Sequence, residues 1–154
     1  MHNFKHFGFN NDISTKHEIL EIINNEQPDV IGFQEFYTRN KGQYETRDSI
    51  NKILGSNNFY FEPFSFNSRE AIGMAIFSKF PILSRGMIRL AADRTSGNQC
   101  LYADIKKGDK IFRYYNIHLQ SINFDPDDYK YIDSVSKKEK PTLNQPSAWG
   151  ASLK

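Results

Sequence analysis

The spacing of hydrophobic positions predicts a helix near the start of the chain. Apolar residues recur at helical intervals over roughly residues 15–26, which is typical of an amphipathic helix packed on a sheet. The pair Thr15 and Glu18 predicts a capping box at its beginning. A second, shorter helix is predicted around Ile50 and Leu54, and Gly55 is expected to end it in a left-handed conformation.

A short buried strand is predicted between these two helices. Pro28 cannot continue the first helix, and it biases Gln27 toward extended geometry. The apolar run that follows is typical of a strand covered on both faces, and it consists of Val30, Ile31 and Phe33. Gln34 and Glu35 come next, where this strand is expected to emerge from the core.

From Phe59 onward the pattern predicts mostly strands. Pro63 indicates an edge strand or a bend, and residues 72–78 form a second buried apolar run. Further strands are predicted at residues 83–90, 101–105 and 110–118, with a hairpin turn at Gly108. Arg69 and Glu70 are interpreted as a surface ion pair. This order of elements predicts an α+β sandwich, with mixed or antiparallel sheets and the helices outside.

Composition adds limits to this picture. The 154 residues suit one domain, and the single Cys100 excludes an internal disulfide and a cysteine-rich zinc site. We predict a domain over residues 1–136 and a poorly ordered tail over residues 137–154, which alone carries a net charge of +3. The body is then nearly neutral, with 16 basic and 17 acidic residues, and the given residues contain no signal-peptide pattern or membrane-length apolar run.

Three segments resemble motifs of one family, in the order in which that family carries them. The segment Pro28–Glu35 reads as Pro-Asp, an apolar stretch and Gln-Glu; Gly73–Ile82 reads as Gly-Met-Ala-Ile-Phe-Ser-x-x-Pro-Ile; Asn116–Ser121 reads as Asn-x-His-Leu-x-Ser. Together they resemble the endonuclease/exonuclease/phosphatase superfamily. The resemblance implies half of a DNase I-like four-layer α/β sandwich, with mixed sheets and helices outside.

The resemblance also implies roles for four residues. Glu35 matches the ligand of the catalytic divalent metal, Mg²⁺ or Mn²⁺, and His118 matches the histidine that contacts the scissile phosphate. Asn116 and Gln34 are weaker candidates for substrate binding and for orienting these two groups. Imidazole suits acid–base work because it titrates near neutral pH. Taken without the resemblance, Glu35 would be interpreted as a solvated loop residue and His118 as part of the core.

Two family segments, Gly-Asp-x-Asn and Ser-Asp-His, do not occur in the chain. The resemblance covers roughly residues 13–135, so we expect an N-terminal fragment, with a strand ending in Asn encoded upstream of Met1. One carboxylate holds magnesium weakly, and the chain as written is therefore expected to have little phosphodiesterase activity. The predicted function is metal-dependent phosphoester hydrolysis; the alternative is a non-catalytic binding or assembly module.

The expected partner is a phosphate ester: a nucleic acid or a phosphorylated small molecule or lipid. A nearly neutral body argues against tight binding of duplex DNA, since contacts from Lys and Arg to phosphate dominate that affinity. If the strands before Glu35 and His118 lie in one sheet and run the same way, both side chains emerge at the same edge. We therefore expect Glu35 and His118 to face a common cleft, with Asn116 or Gln34 nearby.

Overall fold

The computed structural model describes residues 13–90 and 98–119, together with the single residues 130, 133 and 135. By its contacts the chain divides into two compact units, Met1–Gln120 and Ser121–Lys154. The elements of the first unit are α1 (Ser14–Glu26), β1 (Val30–Arg39), α2 (Thr46–Leu54), β2 (Asn58–Phe66), β3 (Glu70–Ser78), β4 (Ile82–Arg89), β5 (Gln99–Lys107) and β6 (Lys110–His118). In the second unit the three described residues are helical, and the tail predicted over 137–154 lies outside the described residues.

Helix α1 is present as predicted, but both of its ends differ from the expectation. Its N-cap is Ile13, which has no side chain that could cap, so the predicted capping box is wrong. Thr15 instead lies inside the first turn and is buried. At the other end Gln27 is left-handed (φ 46°, ψ 48°) rather than extended, and its N–H donates to the carbonyl of Ile23 at 2.9 Å. This left-handed cap ends the helix directly before Pro28, a position where proline is common.

Helix α2 ends as the sequence predicts. Gly55 has φ 63°, a conformation that costs glycine little. Its N–H and that of Ser56 bond back to carbonyl groups of the last turn, with Ser56 reaching Asn51 at 3.1 Å. The left-handed glycine therefore closes the helix and turns the chain toward β2.

The six described strands form two three-stranded sheets, and every pairing among them is antiparallel. Sheet A has the order β1-β3-β2 and sheet B the order β4-β5-β6. Strand β2 is an edge strand, and its register shifts between Pro63 and Ser65, so the predicted edge and bend both occur there. The hairpin between β5 and β6 turns at Gly108, which has φ 62°.

Two hydrophobic clusters hold the layers of the first unit together. One lies between the two helices and sheet A and is centred on Phe36, Phe77 and Ile50. The other lies between the sheets and is built from Met74, Ile76, Leu101, Ala103 and Ile105. Sheet A is therefore covered on both faces, by helices on one side and by sheet B on the other, which confirms the α+β class.

Candidate functional site

The candidate metal ligand lies in an irregularity of β1. Phe33 pairs with Ala75 and Phe36 pairs with Gly73, so the two residues between them, Gln34 and Glu35, stand opposite a single residue of β3. This is the arrangement of a β-bulge, which inserts one extra residue and re-aims side chains. In a regular strand, two residues three positions apart face opposite sides. Because of the bulge, Phe33 and Phe36 both pack in the cluster between the helices and sheet A.

The prediction that the strand ends at Glu35 is wrong. Strand β1 continues to Arg39, which pairs with Glu70 at the start of β3. Beyond the bulge Phe36 and Tyr37 are both buried, so the apolar contacts that hold the strand resume after the polar pair. Gln34 is exposed and Glu35 is half-buried within the strand.

A second bulge faces the first across β3. In β2 the register shifts between Pro63 and Ser65, and Pro63 pairs with Gly73, the residue that also pairs with Phe36 of β1. A Cβ at position 73 would lie 2.6 Å from the Cα of Pro63 and closer still to the carbonyl oxygen of Glu62. Glycine is therefore required here because the backbone of β2 approaches too closely for any side chain.

Asn116 connects the two sheets beside the bulge of β1. It is 4% exposed, and its Nδ2 donates to the carbonyl oxygens of Phe33 at 2.8 Å and of Ala75 at 3.1 Å. Its Oδ1 accepts a longer hydrogen bond, 3.4 Å, from Nε2 of Gln34. A Cβ on Gly32 would lie 2.9 Å from Asn116 Cγ, so Gly32 makes room for this side chain. The two weaker candidates from the sequence, Gln34 and Asn116, thus contact each other.

His118 is the last residue of β6 and pairs with Gln99 of β5. Its ring centroid lies 6.1 Å from that of Phe64, which occupies the bulge of β2. The Nδ1 atom of His118 is buried and has no hydrogen-bond partner among the described residues. A buried ring nitrogen without a partner is unusual in native structures, and a water, an ion, a ligand or a residue outside the described ones would satisfy it.

The positions of Glu35 and His118 follow from the contact between Asn116 and Phe33. His118 lies two residues beyond Asn116 on β6, about 7 Å along that strand, and Glu35 lies two residues beyond Phe33 on β1, within the bulge. The ring of His118 lies beside Phe64 in the β2 bulge, and β1 reaches the same level at Phe36, which pairs with Gly73 as Pro63 does. Both candidates are therefore displaced from the contact toward the same end of the sheets.

The condition that β1 and β6 lie in one sheet is not met, because β1 belongs to sheet A and β6 to sheet B. Facing sheets, joined by the Asn116 side chain, bring the strands together instead. That Glu35 and His118 act together in one cleft stays a prediction.

The described residues do not by themselves assemble a metal site. They contain no group of three or more His, Cys, Asp or Glu side chains that could hold an ion. Glu35 fits as a single ligand, because Mg²⁺ prefers carboxylate oxygen and usually keeps several waters with one or two carboxylates.

At its far end, β1 carries an ion pair that the sequence did not reveal. Arg39 donates from Nε to Oε2 of Glu70 at 3.0 Å and to the hydroxyl of Tyr37 at 2.7 Å. The Tyr37 hydroxyl also donates to Glu70, and burial and this bond raise the pKa of Tyr37. The expected surface pair between Arg69 and Glu70 is therefore replaced by a cross-strand pair between β1 and β3.

The fold of this chain is similar to that of a solved protein structure. A solved structure, an endonuclease/exonuclease/phosphatase family protein from Leptotrichia buccalis C-1013-b, is similar with a TM-score of 0.57 and 13% sequence identity. The match covers 87% of this chain and 58% of that protein, so the chain spans little more than half of its length. A search of functionally curated proteins finds no match.

In the described part of the chain, no helix has the length and apolar character needed to cross a membrane. The model of the Endonuclease/Exonuclease/phosphatase family matches residues 6–134, a range that contains both sheets, Glu35 and His118. This chain belongs to the endonuclease/exonuclease/phosphatase family.

Proposed function

We propose that the protein hydrolyses phosphate esters with the help of a divalent metal, Mg²⁺ or Mn²⁺, and that Glu35 and His118 carry the reaction. The family acts on phosphate esters in general, which supports this class of reaction. The observation that carries the assignment of residues is the position of Asn116, which bonds β6 to β1 two residues before each candidate. Glu35 and His118 therefore each come two residues after the same hydrogen-bonded pair, Phe33 and Asn116.

Glu35 would hold the metal as one carboxylate ligand, with water and substrate oxygens completing the shell. When bound, the metal supplies positive charge that stabilises the charge developing on the phosphate. Asn116 and Gln34 position the strand that carries Glu35 through their mutual hydrogen bond and through the bond from Asn116 to Phe33.

His118 would hold or move a proton at a phosphoryl oxygen. One ring nitrogen, Nδ1, is buried and unpartnered among the described residues, so it is available to a group outside them that would orient the ring, and the other nitrogen, Nε2, would then serve the substrate. A positioned imidazole acting as a general acid or base contributes on the order of 10²- to 10⁴-fold to a rate. Phe64, whose ring lies beside His118, restricts the orientation of the imidazole.

The test is hydrolysis of bis(p-nitrophenyl) phosphate by the protein expressed from its complete reading frame, with Mg²⁺ or Mn²⁺ and with a chelator. We expect metal-dependent turnover, and a loss of about 100-fold or more in Glu35→Gln and in His118→Gln. Glu21→Gln is the matched control, since Glu21 is exposed on α1. Metal-dependent turnover that is unchanged in both variants would refute the assignment.

A second candidate function, a non-catalytic binding module, is favoured by one observation. The described residues contain no group of three or more His, Cys, Asp or Glu side chains that could hold a metal. If the protein from the complete reading frame binds phosphate esters but never hydrolyses them, this second function replaces the first.

A further inference from the structure

A buried glutamine lies opposite His118 in sheet B. In the antiparallel pairing of β5 with β6, Gln99 stands directly across from His118. The Cβ atoms of two directly opposite residues are about 4.5–5.5 Å apart, a separation that a glutamine side chain spans easily. The Nδ1 atom of His118 is buried and has no hydrogen-bond partner among the described residues. By register, Gln99 is therefore within reach of a ring nitrogen that lacks a partner.

The side chains of Gln99 and His118 both point into the space between the two sheets. Side chains alternate between the faces of a strand, so Gln99 shares a face with Leu101, and His118 shares a face with Asn116. Leu101 packs in the cluster between the sheets, and Asn116 bonds to carbonyl groups of sheet A. Gln99 and His118 are therefore neighbours on the face of sheet B that is turned toward sheet A.

The amide of Gln99 uses little of its capacity for hydrogen bonding. The residue is 3% exposed, and a primary amide carries two N–H donors and one acceptor oxygen. Its Nε2 donates to the carbonyl oxygen of Glu62 at 3.5 Å, beyond the usual N–H···O range of about 2.7–3.2 Å. Its Oε1 accepts no hydrogen bond from another described residue. Because the contact with Glu62 is weak, little is lost when the amide turns about its Cγ–Cδ bond.

The carboxylate of Glu62 is a second acceptor on this part of the fold, but it is already engaged. It accepts a hydrogen bond from the hydroxyl of Tyr60 at 3.1 Å, and Tyr60 lies two residues before Glu62 on β2. Phe64, whose ring is beside His118, lies two residues after Glu62. The carboxylate of Glu62 is therefore directed away from the end of β2 at which His118 lies. The amide oxygen of Gln99 is the acceptor that the register offers to His118.

An acceptor at Nδ1 determines what His118 can do at a substrate. In a neutral imidazole one ring nitrogen carries the proton, and the hydrogen bond made by one nitrogen selects the state of the other. An oxygen that accepts from Nδ1–H keeps the proton there and leaves the lone pair of Nε2 free to take a proton. When the ring is protonated, the same oxygen holds Nδ1–H, and Nε2–H can donate to a phosphoryl oxygen. In both states the ring keeps one orientation.

We propose that Gln99 is a positioning residue for His118, and that its Oε1 accepts the Nδ1 proton and directs Nε2 toward the phosphate ester. The amide reaches this position by turning about Cγ–Cδ and releasing the carbonyl of Glu62. Gln99 itself takes no proton, since the transferred proton arrives at and leaves from Nε2 of His118. The proposal rests on the proposed function, because His118 acts at the phosphate there. A partner of Nδ1 outside the described residues is the alternative that the experiment must separate.

The first measurement requires no turnover. Long-range ¹H–¹⁵N correlation spectra of the protein from its complete reading frame report which ring nitrogen of each histidine is protonated, and His118→Gln identifies the signals of His118. At about pH 8.5, where an ordinary imidazole is neutral, we expect the proton of His118 on Nδ1. Gln99→Met keeps the length of the side chain but has only a weak acceptor, so it should move the proton wholly or partly to Nε2. A proton on Nε2 in the unchanged protein overturns the proposal.

Gln99→Glu separates the proposed contact with His118 from the contact with Glu62. A glutamate side chain keeps acceptor oxygens at the same reach but, when ionised, cannot donate to the carbonyl of Glu62. In the hydrolysis of bis(p-nitrophenyl) phosphate at saturating Mg²⁺, we expect Gln99→Met to lower kcat by about ten-fold or more and to leave KM nearly unchanged. Gln99→Glu should retain most of the rate. Equal losses of kcat in the two variants would show that Gln99 acts through Glu62, and they would overturn the proposal.

The same two substitutions at Gln43, which is exposed in the loop between β1 and α2, are matched controls and should change neither the His118 signals nor kcat. If no ester is hydrolysed but the Nδ1 proton of His118 depends on Gln99, the positioning role stands and the proposed function fails. If the ester is hydrolysed and that proton does not respond to Gln99→Met, the proposed function stands and the positioning role is overturned. Should Gln99→Met fail to fold in urea titrations, the unchanged protein and Gln99→Glu decide, since both must carry the proton on Nδ1.

Discussion

Nδ2 of Asn116 lies 2.8 Å from the carbonyl oxygen of Phe33, and this hydrogen bond joins two strands of different sheets. The same nitrogen donates to Ala75 at 3.1 Å, so one buried amide satisfies carbonyl groups on neighbouring strands of sheet A. This hydrogen bond sets the position of β6 relative to β1 along the strand direction. It thereby determines where His118 lies relative to Glu35 and links the stability of the fold to the geometry of the candidate site.

The first prediction follows from this contact. Asn116→Ala should lower the free energy of unfolding by about 2 kcal/mol, because buried carbonyl groups lose a donor. Asn116→Asp should cost more, since a carboxylate cannot donate and would face two carbonyl oxygens. Urea unfolding measures the free energy of unfolding of both Asn116 variants, and Asn57→Asp, at an exposed position, is the control. Equal stability of Asn116→Asp and the unchanged protein would show that the amide does not hold the sheets together.

The second prediction compares two glycines of the sheets. Gly73→Ala should lower the free energy of unfolding by about 3 kcal/mol or more, since the new methyl group would meet the backbone of Glu62 and Pro63. Gly86→Ala should cost only about 1 kcal/mol, because the nearest atoms belong to the ring of Tyr102, which can rotate away. Thermal or urea unfolding of both variants tests the difference. The opposite ranking would contradict the close approach of the two bulges at Gly73.

The third prediction concerns alkaline pH. Burial, together with nearby Glu62, raises the pKa of Tyr60 from 10.0 to about 12 in the folded protein. The folded state therefore keeps a proton that the unfolded state loses, and the resulting stability is complete below pH 10 and is lost as the pH rises from 10 toward 12. Tyr60→Phe should make the free energy of unfolding fall less steeply between pH 10 and 12, measured by urea unfolding. Tyr37, whose pKa is also raised, leaves a residual decline in that variant. An unchanged slope in Tyr60→Phe would contradict the assignment.

The fourth prediction separates the roles of the two candidate catalytic residues. In the protein from its complete reading frame, Glu35→Asp should raise the Mg²⁺ concentration for half-maximal activity by about ten-fold or more, because a shortened ligand holds the metal poorly. His118→Gln should instead lower the rate at saturating Mg²⁺ and leave the metal dependence nearly unchanged. A Mg²⁺ titration of the hydrolysis rate distinguishes the two. If His118→Gln shifts the metal dependence and Glu35→Asp does not, the roles are reversed.

Much of the fold could be predicted from local patterns. The apolar stripe of α1, the left-handed glycine that ends α2 and the turn at Gly108 each depend on neighbours a few residues apart. Pro63 could be placed at an edge or bend because it has no N–H to donate within a sheet. The motif residues Gln34, Glu35, Asn116 and His118 could be named from sequence, since each motif is continuous along the chain.

The sequence by itself determined which residue types occupy strands and which four side chains are candidates for chemistry. Tertiary structure alone decided that β1 passes through Glu35 in a bulge, that Glu70 pairs with Arg39, and that β1 and β6 face each other from two sheets. The physical reason is that these features depend on register between strands distant in sequence. A pattern of alternating residues specifies the faces of each strand, but it does not specify which partner strand, or which level along it, satisfies the backbone and the buried amide of Asn116.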